Sequence, residues 1–136
     1  MIKTIDIKSS KRIEFIDITE KINSLIGQSG MVEGACFLSV PHTTAAVTIN
    51  ENSDPDVVRD ILSKTGKLIP RVEGYTHAEG NSDSHIKSSL FSPSLSLIIN
   101  EHKLLLGIWQ AVYFCEFDGP RNRQLYIKLI TDSINE

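Results

Sequence analysis

Cysteine is scarce in this chain of 136 residues: there are two, Cys36 and Cys115, and both sit inside apolar runs. That scarcity excludes a disulfide-stapled secreted scaffold, so buried free thiols in a cytoplasmic protein are expected. Long hydrophobic runs are missing as well, none approaching the roughly 18–20 residues needed to cross a bilayer. The first residues, MIKTIDIKSSKRIEF, alternate polar and apolar side chains, unlike a signal peptide with its apolar centre. Basic clusters are absent, and a formal net charge of -3 argues against nucleic acid as a partner. There is no internal repeat, low-complexity tract or linker, so one domain over residues 1–136 is expected.

What is present is a series of short strands. Ile5/Ile7 in TIDIKSS and Ile13/Phe15 in KRIEFID recur with period two. GACFLSV and AAVTIN read as buried strands interrupted by Pro41-His42-Thr43-Thr44. SLSLIIN, LLLGIWQAVYFCEF and QLYIKLIT follow as core strands, the last after the turn DGPRNR. Two segments change rhythm. Ile22, Leu25 and Ile26 share a helical face that Gly27 can stop. Val57, Val58, Ile61 and Leu62 form a second stripe, with Asp54 as cap, Pro55 in the first turn and Gly66 as a stop. Residues 67–89 lose periodicity and read as a long loop, a feature often tied to function. The sum is an α+β chain, predominantly an antiparallel β-sandwich of two packed sheets with two helices.

The polar breaks hold the chemistry. His42 stands between two apolar runs, followed by two threonines, while His77 and His85 flank the string HAEGNSDSHIKSS. Their eight-residue separation fits neither a zinc finger nor a HExxH helix. Each histidine can be an ordinary loop residue. Three brought together would instead suit a zinc-like ion with one position left open, and Glu79, Asp83 and Glu51 are available as orienting groups or a proton acceptor. His102, in NEHK, reads as a surface turn. Asn52, in TINENSDP, can shape that turn or read a ring edge with its donor and acceptor. Arg121 and Arg123 in DGPRNR can fork onto phosphate oxygens or simply decorate a hairpin. Strand alternation sends Trp109 and Gln110 to opposite faces, Trp109 to the core, leaving Gln110 as a buried amide in need of partners.

HTTAAVTINENSDPDV, HAEGNSDSHIKSSLF and LLLGIWQAVYFCEFDGPRNR together resemble the YjbQ-like family over essentially the whole chain. Many members of that family are described as uncharacterised proteins or secondary thiamine-phosphate synthases. The resemblance implies a homotrimer with its polar motifs near subunit contacts. It carries site roles to His42, Asn52, His77, Glu79, His85, Trp109, Gln110 and Arg121. It also implies a divalent ion held by His42, His77 and His85, zinc by its donors, with magnesium an option beside a diphosphate. Two departures stand out: many members have a glycine before the strand that here follows His102, and many have a longer loop between Glu79 and SHIKSS.

The activity so implied joins an aminopyrimidine methyl diphosphate to a thiazole phosphate and releases pyrophosphate. Glu79, Asn52 and Gln110 would serve the chemistry, while Arg121, Arg123, Trp109 and Thr43 would hold a phosphorylated small molecule. Two alternatives remain open on the residues alone. One is a metal-dependent hydrolase or lyase with Glu79 as general base; the other is a non-catalytic small-molecule binder.

Overall fold

Period-two alternation builds most of the architecture. In β1 (Ile2–Lys8), Ile5 and Ile7 point inward while their neighbours face solvent; in β8 (Asn122–Thr131), Arg123, Leu125 and Ile127 do the same. The computed structural model describes residues 2–132. Its other elements are β2 (Glu14–Asp17), α1 (Thr19–Ser29), β3 (Gly34–Ser39), β4 (Ala45–Glu51), α2 (Pro55–Leu68), α3 (Ser82–Phe91), β5 (Ser94–Asn100), β6 (Lys103–Leu104) and β7 (Gln110–Glu116). All strand pairs are antiparallel. One sheet runs β1-β8-β3-β5-β6 and the other β2-β7-β4.

The two sheets face each other across a core of Ile5, Ile7, Leu38, Val47, Leu97, Ile99, Val112, Phe114, Leu125 and Ile127. The larger sheet buries one face only. In the smaller sheet β7 is buried from Ala111 to Glu116, so both of its faces are covered. Its second face meets a separate cluster of Ala46, Ala111, Tyr113, Cys115 and Phe117, against which Phe91 of α3 and Val58 of α2 pack. Both cysteines are unpaired and buried, and burial pushes the Cys36 thiol up to about 12.

The helices differ in how closely they follow the sequence pattern. α1 buries Ile22 and Ile26 as expected but runs past Gly27 to Ser29; the stop is Gly30, in the left-handed conformation at φ 75°. α2 begins as expected, with the Asp54 carboxylate accepting from Asp56 N at 2.9 Å and Pro55 in the first turn, and runs two residues past Gly66. α3 is a helix where a loop was expected. Its buried residues are Asp83, Ser84, Lys87 and Ser88, so its inward face is polar and leaves no apolar rhythm to read. Glu101 and His102 form a two-residue turn between β5 and β6, both at positive φ, as the NEHK string suggested.

Candidate functional site

Three segments meet at one end of the smaller sheet. They are the Pro41–Thr44 link between β3 and β4, the start of α3 with the residues just before it, and the turn from β7 into β8. Together they enclose a polar cavity of about 380 Å³ whose walls include His42, Thr43, Glu79, His85, Arg121 and Arg123. Six residues expected at the site therefore do share one cavity.

The floor of this cavity is a buried ionic network. Glu116 is fully buried, and Arg123 meets it with two nitrogens, Nε at 2.9 Å and Nη2 at 2.5 Å. Arg123 Nη2 also donates to Thr44 Oγ1 at 2.8 Å, and Ser9 Oγ donates to Glu116 Oε1 at 2.7 Å. Burial pushes the Glu116 carboxyl up, but Arg123, Ser9 and the Asp118 amide outweigh it and hold the carboxyl below its ordinary value. The expectation that Arg123 forks onto a ligand phosphate is thus corrected. Its fork already belongs to Glu116, because alternation from Leu125 and Ile127 turns it inward. Gly119 closes over this network; a Cβ there would lie 2.2 Å from Lys11 O and 2.7 Å from Ser9 Oγ.

Arg121 is different. Its Nε donates to Asp118 O at 2.7 Å and its Nη2 to Asp118 Oδ2 at 3.1 Å, but its side chain stays 53% exposed at the cavity wall. Asp118 also accepts from Asn81 Nδ2 at 3.0 Å. Asn81 precedes α3 without capping it by its side chain, and its side-chain Oδ1 is buried with no partner, while its backbone oxygen accepts from Ser84 N at 3.0 Å.

α3 is held by a second ionic key. Asp83 takes Arg12 Nη2 at 3.0 Å and Arg12 Nη1 at 3.1 Å, and Lys87 Nζ stands 3.5 Å away. Ser84 Oγ donates to Phe117 O at 2.6 Å. Fixed in this way, α3 presents His85 to the cavity. His77 packs edge-on against His85 with ring centroids 5.5 Å apart, and Glu79 Oε2 lies 3.8 Å from His77 Nε2.

The imidazole of His42 shares two cavities with His85, but its Nε2 is occupied, accepting from Gln124 N at 2.9 Å. Among the described residues no group of three His, Cys, Asp or Glu side chains converges to hold a metal. The expected set of three imidazoles therefore does not fit an ion in this arrangement, although the donor types suit zinc.

Asn52, Trp109 and Gln110 lie elsewhere. In the β4–β7 pairing, Ala45 faces Glu116 at the cavity end and Glu51 faces Gln110 at the other, six residues or roughly 20 Å along the strand. Trp109 is corrected from core to surface, at 61% exposed, beside Ile108 at 92%. The apolar run breaks there into a turn: Gln110 N donates to Gly107 O at 3.0 Å, and Gly107 N donates back to Gln110 Oε1 at 2.7 Å. Gln110 is accordingly an exposed turn-closing amide, not a buried one. Asn52 N donates to Trp109 O, and its Nδ2 donates to Asp17 Oδ2 at 3.3 Å.

Sequence reasoning missed Glu116, Asn81, Asp118 and Ser9. Glu116 had a signal: a lone acid within AVYFCEF needs a buried cation. The others had none.

Among the described residues, two antiparallel sheets with three helices, and a polar cavity walled by histidines and arginines, define an α+β class of protein. Within that class the chain belongs to the UPF0047 protein YjbQ-like family, whose model matches residues 3–132. The UPF0047 protein MJ1081 of Methanocaldococcus jannaschii is 52% identical over 93% of this chain and 91% of its own. YugU of Bacillus subtilis is 47% identical over 96% and 99%. A crystal structure of an uncharacterised family member from Clostridium acetobutylicum superposes with a TM-score of 0.91 at 48% identity, covering 94% of this chain and 99% of that one. A protein of unknown function from Sulfolobus solfataricus gives the same TM-score at 26% identity over 97% of each.

Proposed function

We propose that the cavity binds the phosphate or diphosphate end of a small metabolite. The observation that supports this reading most directly is the Arg121 guanidinium, exposed at a wall that also carries the Thr43 hydroxyl and the His42 ring. Several donors converging on one concave wall stabilise anionic oxygens by acting together.

The reaction that suits this site is the transfer of an aminopyrimidine methyl group. The bond from its methylene carbon to the diphosphate oxygen breaks, a bond from that carbon to the thiazole phosphate nitrogen forms, and pyrophosphate leaves. Charge builds on the departing oxygens, where Arg121 and Thr43 donate; Glu79 orients His77 beside His85. The test is an assay for thiamine phosphate from the two precursors. Arg121→Ala is expected to lower turnover about a hundredfold, in line with loss of one oxyanion donor. Absence of product from the unaltered protein with every divalent ion added would discard the transferase reading.

The same proposal includes a cyclic trimer. A head-to-tail ring carries one protomer's Asn52, Trp109 and Gln110 toward its neighbour's cavity, joining two groups that a single chain keeps at opposite ends of β4. The exposed Ile108 and Trp109 give that contact its apolar anchor. Light scattering should report a trimer that Trp109→Ala weakens; a monomer at micromolar concentration refutes it.

A further inference from the structure

β3 stops pairing with β8 at Ser39, opposite Tyr126, two residues short of Gln124. Three residues beyond Ser39 the chain returns an imidazole to the edge of β8 that β3 leaves free, and His42 Nε2 accepts the Gln124 N–H at 2.9 Å. A neutral ring that accepts at Nε2 must carry its proton on Nδ1. Turning the ring over would set a carbon against the amide, so the hydrogen bond fixes both orientation and tautomer. Nδ1 has no protein partner among the described residues, and it is not among the buried unpartnered atoms, so it keeps access to the space the ring lines.

We propose that the Gln124 amide locks His42 as the neutral Nδ1–H tautomer, and that the ring serves the cavity as a hydrogen-bond donor to a ligand oxyanion rather than as a metal ligand. Burial and the nearby Arg123 guanidinium both hold its pKa below the usual histidine value, which agrees with a neutral ring. Neutrality has a structural use: an uncharged donor can stand close to Arg123 without repulsion. The identity of the ligand rests on the anion reading of the cavity, whereas the tautomer does not.

The test is the long-range proton–nitrogen NMR spectrum of the imidazoles in the uniformly ¹⁵N-labelled full chain at neutral pH, with His42→Gln to assign the ring. The expected spectrum shows the Nδ1–H pattern for His42, unmoved by added zinc and shifted at Nδ1 by inorganic phosphate. An Nε2–H pattern, or a His42 nitrogen that moves on zinc addition, overturns the inference. A silent phosphate titration with the tautomer in place overturns the anion reading of the cavity and the donor's ligand together.

Affinity gives a second measure. His42→Gln keeps an acceptor for Gln124 N in Oε1, but its remaining donor sits on the same terminal carbon, away from the Nδ1 position, and phosphate binding should weaken about tenfold. His42→Asn, whose Nδ2 takes the place of Nδ1, should keep most of the affinity. Equal loss in both variants counts against the donor role.

Discussion

The helices α2 and α3 make opposite cases. α2 has everything a sequence reader looks for, from the Asp54 cap to the stripe of Val57, Val58, Ile61 and Leu62, yet none of its residues is buried and only Val58 reaches the second core cluster. α3 has no apolar stripe, yet buries four residues, all polar. An apolar stripe says that a segment can be a helix; it does not say how deeply the helix will sit. An ion pair is directional in a way that apolar contact is not. Arg12 and Asp83 meet through two matched hydrogen bonds, which set the rotation and height of α3 and hence where His85 points. The helix that positions the cavity is keyed, and the helix that merely flanks it is greased.

The sharpest way to break this comparison is Asp83→Ala. It leaves Lys87, with 3% of its side chain exposed, without an acid, and removes the partner of Arg12. Stranding a buried charge costs about 3–5 kcal/mol, so the denaturant midpoint should fall steeply. A loss below about 1 kcal/mol would show that α3 is held by something other than charge.

Acid sharpens the same point with a smaller effect. Burial pushes the Asp83 carboxyl up, but the Arg12 hydrogen bonds and charge, with Lys87 and the Ser84 amide, outweigh it and hold the carboxyl below its ordinary value. Glu116 is depressed in the same sense. For a carboxyl whose folded pKa lies below its unfolded one, the unfolded chain binds more protons as pH falls. The stabilisation is therefore present above the unfolded values, about 4, and is lost as pH drops through the folded ones. Unfolding midpoints measured from pH 7 to 3 should hold nearly level above about pH 5 and then decline. Stability that stays flat down to pH 3 contradicts the keyed description of α3 and of the cavity floor alike.

The same contrast explains what could be read in advance. The strands of the larger sheet were legible because Ile5/Ile7 and Leu125/Ile127 alternate, and those of the smaller sheet because AAVTIN and AVYFCEF read as continuous buried runs. α3 was not, since Asp83, Ser84, Lys87 and Ser88 look like solvent-facing residues until Arg12 and Phe117, far away in the chain, supply their partners. At the site, local strings named His42, Thr43, Glu79, His85 and Arg121, which the fold places around one cavity. Arg123 was misassigned because the turn string DGPRNR outweighed the alternation that buries it. Trp109 was misassigned because Gly107 and the Gln110 amide break a run that reads as one strand. The miss at α3 is a set of contacts between residues distant in sequence, that at Trp109 a turn that interrupts an apolar run, and that at Arg123 a turn string that hid an inward-facing strand position.

The mildest prediction falls on α2. Asp54→Ala removes one capping hydrogen bond, to Asp56 N, and should cost about 1 kcal/mol. With so little of α2 buried, the loss should be local: faster amide exchange through the first turns of α2 and unchanged exchange in α3. Phosphate binding should hold, because no residue of α2 lines the cavity. If Asp54→Ala instead loosens α3 or abolishes phosphate binding, α2 is coupled to the site through contacts beyond Val58, and the division between a keyed helix and a flanking one has to be withdrawn.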